Sequence, residues 1–374
     1  MKAKQFIPVS RPEISSSDIE AVKLAVASSF IAGGDNIPKL ETAVAGYCRR
    51  QYAVAVTNAT SALFLAVKAL DLPPRTKILI PAFTIISVLQ AVVSNGHIPY
   101  FSEVDKETWN LTYEDVEKAI KKGIKAAIIP QTYASAPPMV EIAQLMYKHK
   151  LSLIEDAAEG FGGSQMGKLF GSFGLMSILS FYANKLISTG EGGMVLTDNK
   201  KLAVRLLSLR NLSFDQDRRF IHKEISGNYR LTNIQAALGL SQFKRINSFY
   251  SHRQRLYDLY LRLLEGWQKK MLNFQKIPQS IKSSYWVFPV LLAGFNRKKT
   301  QSLMDNLLSE GIETRHFFYP LNLQPAFKTR HFTPSTSLKL WQSGIYLPLG
   351  NGIKEKEVKT SAGVLIKFLK DFKQ

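Results

Sequence analysis

The chain has 374 residues, 45% hydrophobic and 21% charged, with a net charge of +20. No low-complexity tract or internal repeat interrupts it, and at roughly 100–200 residues per domain the length predicts two or three domains. The single Cys48 excludes an intrachain disulfide and favours a reducing compartment. The sequence contains no apolar run near the ~20 residues of a membrane span, and its first residues lack a signal-type apolar core, so a cytoplasmic location is expected. The basic excess would attract polyanions, yet Lys and Arg are spread along the chain without zinc-finger, basic-heptad or RNP-like spacing. A solvated basic surface is therefore expected, with no specific nucleic-acid partner; attraction of a doubly negative substrate or an anionic membrane stays open.

In chain order, short continuous apolar runs at Tyr52–Val56, Lys77–Ile80, Ala126–Pro130 and Leu151–Ile154 predict buried strands. Amphipathic stretches at Thr60–Leu70, Ile86–Val93, Tyr113–Ile120 and Met139–His149 predict the helices between them. Strand, helix and strand at this spacing imply βαβ crossovers, an α/β class and a largely parallel sheet covered on both faces. From Ile234 to about Leu264 the pattern becomes one long helix. A strand at Tyr285–Leu292, a helix near Lys299–Glu310 and a last helix near Lys354–Phe372 follow it. The expected division is a large domain over 1–245 and a smaller C-terminal α/β domain over 246–374.

Ligands of open parallel sheets sit beyond the carboxyl ends of the strands. Three strand-end segments are therefore expected to meet in one crevice: TNATSAL (Thr57–Leu63), EDAAEGFG (Glu155–Gly162) and SFYANK ending at Lys185. The first sets Thr60 and Ser61 at a helix start, where free N–H groups and the helix dipole favour an anion; simple capping by Asn58 or Thr60 is the alternative. Asp156 ends an apolar strand, and a desolvated carboxylate needs a cationic or donor partner, either a ligand or nearby backbone. Glu159 reads as a surface residue or as a neighbour of the ligand. Lys185 precedes the turn Gly190–Gly193; in an apolar pocket its neutral amine can attack a carbonyl and form an imine. Anion cradle, strand-end Asp and strand-end Lys together suit pyridoxal 5'-phosphate, with its phosphate, ring nitrogen and aldehyde.

These segments, together with GNYRLTNIQAALGLSQ (Gly227–Gln242) and GIETRHFFYPLNLQP (Gly311–Pro325), resemble the DegT/DnrJ/EryC/StrS family of nucleotide-sugar aminotransferases, within fold type I (aspartate aminotransferase-like). The nearest resemblance is to its perosamine branch, which aminates a 4-keto-6-deoxy sugar on GDP. The resemblance implies that Lys185 holds the cofactor and shuttles a proton, and that Asp156 keeps the pyridine nitrogen protonated. It implies that Thr60, Ser61 and Ser180 bind the phosphate and that Glu159 lies near the ring hydroxyl. Asn228 would reach the phosphate of a neighbouring subunit, which makes a homodimer the active unit. His316, Tyr319 and Asn322 would belong to a substrate-side loop.

Several positions depart from the family pattern. Ala59 and Ala183 replace glycines, which requires negative φ there. Ile85 stands where an aromatic often stacks on the cofactor, leaving Phe83 or an aliphatic side chain to cover the ring. Ala134, Ser135 and Asn322 also differ, on the substrate side. The expected reaction is amino transfer from an amino acid, L-glutamate by family analogy, to C4 of a keto-deoxy sugar on a nucleoside diphosphate, in the biosynthesis of a surface polysaccharide such as an O-antigen. The alternatives are amination at C3, a UDP or dTDP carrier, sugar dehydration, and ligand binding without turnover.

Overall fold

A computed structural model describes residues 6–215, 218, 220–222, 224–327 and 332–371. The strands β1 (Tyr52–Val56), β2 (Lys77–Pro81), β3 (Ile98–Ser102), β4 (Ala126–Pro130), β5 (Ser152–Asp156), β8 (Met176–Ser180) and β9 (Gly193–Thr197) form a seven-stranded sheet in the order β1-β9-β8-β5-β4-β2-β3. β3, β2, β4, β5 and β8 run parallel to their neighbours, and β9 lies antiparallel to both β8 and β1. Alternate strand residues face opposite cores. Leu79, Ala127, Ile129, Leu153 and Leu179 join one cluster, and Ile78, Ile80, Ile128, Ile154 and Ile178 the other. Burial on both faces explains why the strands are apolar without alternation. A small sheet joins β6 (Ser164–Gln165), β7 (Lys168–Leu169) and β11 (Ile281–Lys282).

β10 (Leu272–Phe274), β12 (Phe288–Leu292), β14 (Gly344–Leu347) and β13 (Arg315–His316) make a separate antiparallel sheet in that order. Its core includes Leu256, Tyr260, Phe288, Leu303 and Leu365, from the strands and from the helices Ile246–Leu264, Arg297–Ser309 and Glu355–Asp371. The N-terminal segment belongs to this core as well. Ile7 bridges Ile312 in parallel and donates to Gly311 O at 2.8 Å, Leu349 donates to Val9 O at 3.0 Å, and Arg11 binds Glu357 at 3.0 Å.

Two of the expected elements take a different form in the structure. The long helix is two helices, Asn233–Phe243 and Ile246–Leu264. No Gly or Pro breaks them; Arg245 leaves helical geometry at φ −108°, and its guanidinium pairs with Glu13 and the fully buried Asp18, contacts invisible to local periodicity. The strand expected at Tyr285–Leu292 begins only at Phe288, because Tyr285 has a left-handed φ of 52° and Trp286 turns to a cavity. Phe372, the expected end of the last helix, lies outside the described residues. No helix among the described residues is long and apolar enough to cross a membrane.

Candidate active site

The ends of β5 and β8, the N-terminus of the helix Ala59–Ala69 and the loop before β12 surround a cavity of about 450 Å³. Thr60, Asp156, Glu159, Ser180 and Lys185 line it, so the expected strand-end segments do converge.

Lys185 follows β8 in a tight loop, donating its N–H to Tyr182 O at 2.9 Å. The loop closes where Thr189 N donates to Phe181 O and Phe181 N to Gly192 O, each at 2.9 Å. Beneath it lies Arg253, 1% exposed, whose Nη2 donates to the carbonyls of Lys185 at 2.8 Å and Asn184 at 3.1 Å and whose Nε donates to Asn351 Oδ1 at 2.6 Å. The amine of Lys185 stands 3.7 Å over the ring of Trp286. Burial pushes its pKa down to about 8, against the pull of the Glu159 and Asp156 carboxylates.

Asp156 is 3% exposed and accepts one backbone bond, from Ala158 N at 3.2 Å. Burial pushes its carboxyl up to about 6. Glu159 is also raised by burial; its Oε2 accepts from Tyr133 N at 2.8 Å. Under both lies Glu155, fully buried, which accepts from Gly171 N, Phe173 N, Ser177 Oγ and Gln131 Nε2. Arg50 meets the same shell through Ser177 Oγ at 2.9 Å and pairs with Asp198 at 2.7 Å.

At the helix start both readings of TNATSAL have a place. Asn58 caps the helix, its Oδ1 accepting from Ser61 N at 2.8 Å, which leaves Thr60 Oγ1 at the cavity beside Ser87 Oγ at 2.7 Å. Ser61 Oγ instead accepts from Thr57 Oγ1 at 3.1 Å and is not among the lining residues. Gly193 of β9 packs directly against this helix start: a Cβ there would come within 2.4 Å of the Asn58 carbonyl carbon. Ala59 and Ala183 both avoid positive φ, as their side chains require.

Other expected residues lie elsewhere. Phe83 is fully buried against Tyr133, Phe317 and Phe318, behind the cavity; Ile85 is the side chain at its wall, so the aliphatic alternative matches the geometry. Asn228 lies off the cavity of its own chain, bridging Asn211 and accepting from Arg230 N at 3.3 Å. The substrate-side trio does not line the cavity either. His316 bonds Arg297 and Gln301, and burial and the Arg297 charge push it down to about 4. Tyr319 packs edge-on against Trp341, and Asn322, fully buried, donates to Phe332 O at 2.9 Å. Sequence reasoning missed Trp286, Tyr346, Phe318 and Gln131, all of which line the cavity. The signal available was a tryptophan inside a run otherwise read as strand.

The DegT/DnrJ/EryC1/StrS aminotransferase family matches residues 12–365. Over 355 residues the chain is 32% identical to the GDP-perosamine synthase of Escherichia coli O157:H7, covering 95% of this chain and 96% of that protein. Over 359 residues it is 31% identical to the GDP-perosamine synthase of Vibrio cholerae, covering 95% and 96%. Among solved structures, the aminotransferase TlmJ from Streptoalloteichus hindustanus shares the fold with a TM-score of 0.91 at 23% identity, covering 98% of this chain and all of that one. The chain belongs to the DegT/DnrJ/EryC1/StrS aminotransferase family and is a pyridoxal-phosphate-dependent enzyme.

The residues present fit that cofactor. Asp156 is a carboxylate whose pKa is raised by burial that Ala158 N–H and Lys185 only partly offset, and a protonated pyridine nitrogen would add a cationic partner. Lys185 offers an amine made easier to deprotonate by burial, and the helix N-terminus with Thr60 offers donors for a phosphate.

Proposed function

We propose that this enzyme moves an amino group from an amino acid, L-glutamate first, to C4 of a keto-deoxy sugar carried on GDP. The observation that carries the reading is the meeting of Lys185, Asp156 and Thr60 in one cavity of about 450 Å³. Bound there, pyridoxal phosphate supplies an electron sink for proton removal at the amino-bearing carbon. Lys185 Nζ holds the cofactor and, when released, takes and returns that proton; its lowered pKa suits both tasks near neutral pH. Asp156 keeps the ring nitrogen protonated. Thr60, Ser180 and the helix N-terminus hold the phosphate, Glu159 stands beside the ring hydroxyl, and Ile85 covers the ring. Asn228, off its own cavity, serves the partner's phosphate in a homodimer. The C4 position and the GDP carrier rest on likeness to the two synthases. The setting is cytoplasmic synthesis of a surface polysaccharide, with large and small domains meeting near residue 245.

The test is the visible spectrum of wild type beside Lys185→Ala, before and after L-glutamate. A lysine-dependent band bleached by glutamate is expected, followed by turnover of a GDP-linked 4-keto sugar in a panel of keto-sugar nucleotides. Absence of any lysine-dependent band would overturn the catalytic assignment. A second reading, amination at C3 or on a UDP or dTDP sugar, draws on Ala134, Ser135 and Asn322, which depart from relatives on the substrate side. Preference for such a sugar in the panel would select it.

A further inference from the structure

Trp286 is more than a wall of the cavity. Its indole face lies 3.7 Å from Lys185 Nζ, and further contacts hold the residue in place. Nε1 donates to Asn184 Oδ1 at 3.3 Å, the ring stacks on Tyr133 at 6.1 Å and 13°, and its carbonyl accepts from Arg253 Nη1 at 3.4 Å. Asn184 adjoins Lys185, and Arg253 also binds the Lys185 carbonyl. Backbone and side-chain bonds thus hold lysine and indole to one another.

We propose that Trp286 is the seat of the Lys185 ammonium, its indole face holding the protonated amine while the lysine side chain is not covalently engaged. The idea rests on the reading of Lys185 as the reacting amine. A cation over an indole face in a desolvated site is held by the ring quadrupole. The ring thereby favours the charged form, opposing the burial that lowers the pKa. Glu159, from the turn after β5, and Asp156, the last residue of β5, act in the same sense as the ring, and Arg253 acts against it. Glu191, Tyr182 and Tyr346 complete the titratable lining. The seat keeps the ammonium inside the cavity, where it must return its proton, instead of swinging to solvent.

The test uses cofactor-free protein, reductively methylated with ¹³C, with the Lys185 resonance assigned by its loss in Lys185→Ala. Its pKa is compared among wild type, wild type with its four tryptophans replaced by a fluorinated tryptophan, and Trp286→Leu. Fluorination weakens the ring quadrupole and preserves shape, so it serves even where Trp286→Leu does not fold. The expected result is a downward shift in both, about one pKa unit for Trp286→Leu. A pKa unmoved by fluorination, or raised in Trp286→Leu, would overturn the seat. The titration needs no cofactor, so its failure is distinct from the absence of a lysine-dependent visible band.

Discussion

Arg253, on the helix Ile246–Leu264, donates directly to the carbonyl oxygen of Lys185 at 2.8 Å, so Lys185 is held by a charge buried outside its own loop. The arrangement is costly: burial lowers the Arg253 pKa to about 9, and replacing it leaves the carbonyls of Asn184 and Lys185 and the amide oxygen of Asn351 without that donor. Each buried group left unpaired costs about 1–3 kcal/mol. Arg253→Met is expected to lose about 3 kcal/mol of stability, net of relief from burying the charge. Denaturant unfolding checks this; a loss below about 1 kcal/mol would mean that water replaces the guanidinium.

Asp156 makes the site a burden on the cofactor-free fold. Its folded pKa of about 6 lies above the ordinary 3.8, so the folded state binds the proton more tightly than the unfolded chain does. Its stabilising contribution is present below about pH 4 and is lost as pH rises to about 6. Asp156→Asn keeps an acceptor for Ala158 N and removes the charge. At pH 7.5 the cofactor-free variant should gain roughly 2–3 kcal/mol, at 1.36 kcal/mol per pKa unit, while at pH 4 the difference nearly vanishes. Denaturant midpoints at the two pH values decide it, and equal differences at both would refute the assignment.

Gly193 lets β9 touch the helix start proposed as the anion cradle. In Gly193→Ala the new methyl meets Asn58 and Ala59 backbone at 2.4 and 2.6 Å, and backbone cannot rotate aside. Overpacking of this kind costs about 1–3 kcal/mol. The variant should melt lower and bind pyridoxal phosphate more weakly. Wild-type affinity would show that the cradle tolerates displacement.

Thr60 tests the cradle from the side-chain direction. A hydrogen bond to a charged group contributes about 1.5–3 kcal/mol, so Thr60→Val should raise the cofactor Kd about tenfold or more. Ser61→Ala, whose hydroxyl turns to Thr57, should change it little. The reverse order of effects in a titration of cofactor-free protein would exchange their roles.

What the sequence revealed and what it hid follow from the range of the contacts involved. The buried strands were legible because both their faces are apolar. β3 escaped notice because, at the sheet edge, Pro99–Ser102 is only partly buried and carries a proline. β9 escaped because it opens on the glycine that its packing demands. Asp156, Lys185 and Thr60 sit where strand ends and a helix start must place them. Trp286 and Arg253 reach Lys185 only through the second sheet and its helices, contacts spanning 68 residues or more, which no local pattern encodes. His316 and Asn322 gave the converse difficulty: polar residues in a suggestive loop, engaged by Arg297 and by Phe332 O.

The docking of Ile7–Arg11 onto Ile312, Leu349 and Glu357 sets a timetable for the nascent chain. The segment Ile7–Arg11 has no such partner until the chain has been made as far as Ile312 to Glu357. The seven-stranded sheet, complete by Thr197, is free to form earlier. Closing so long a loop is entropically expensive and slow relative to local pairing. That segment must therefore wait as an unattached strand, exposed to proteases and chaperones, and becomes fixed only when Ile312, Leu349 and Glu357 arrive to receive it.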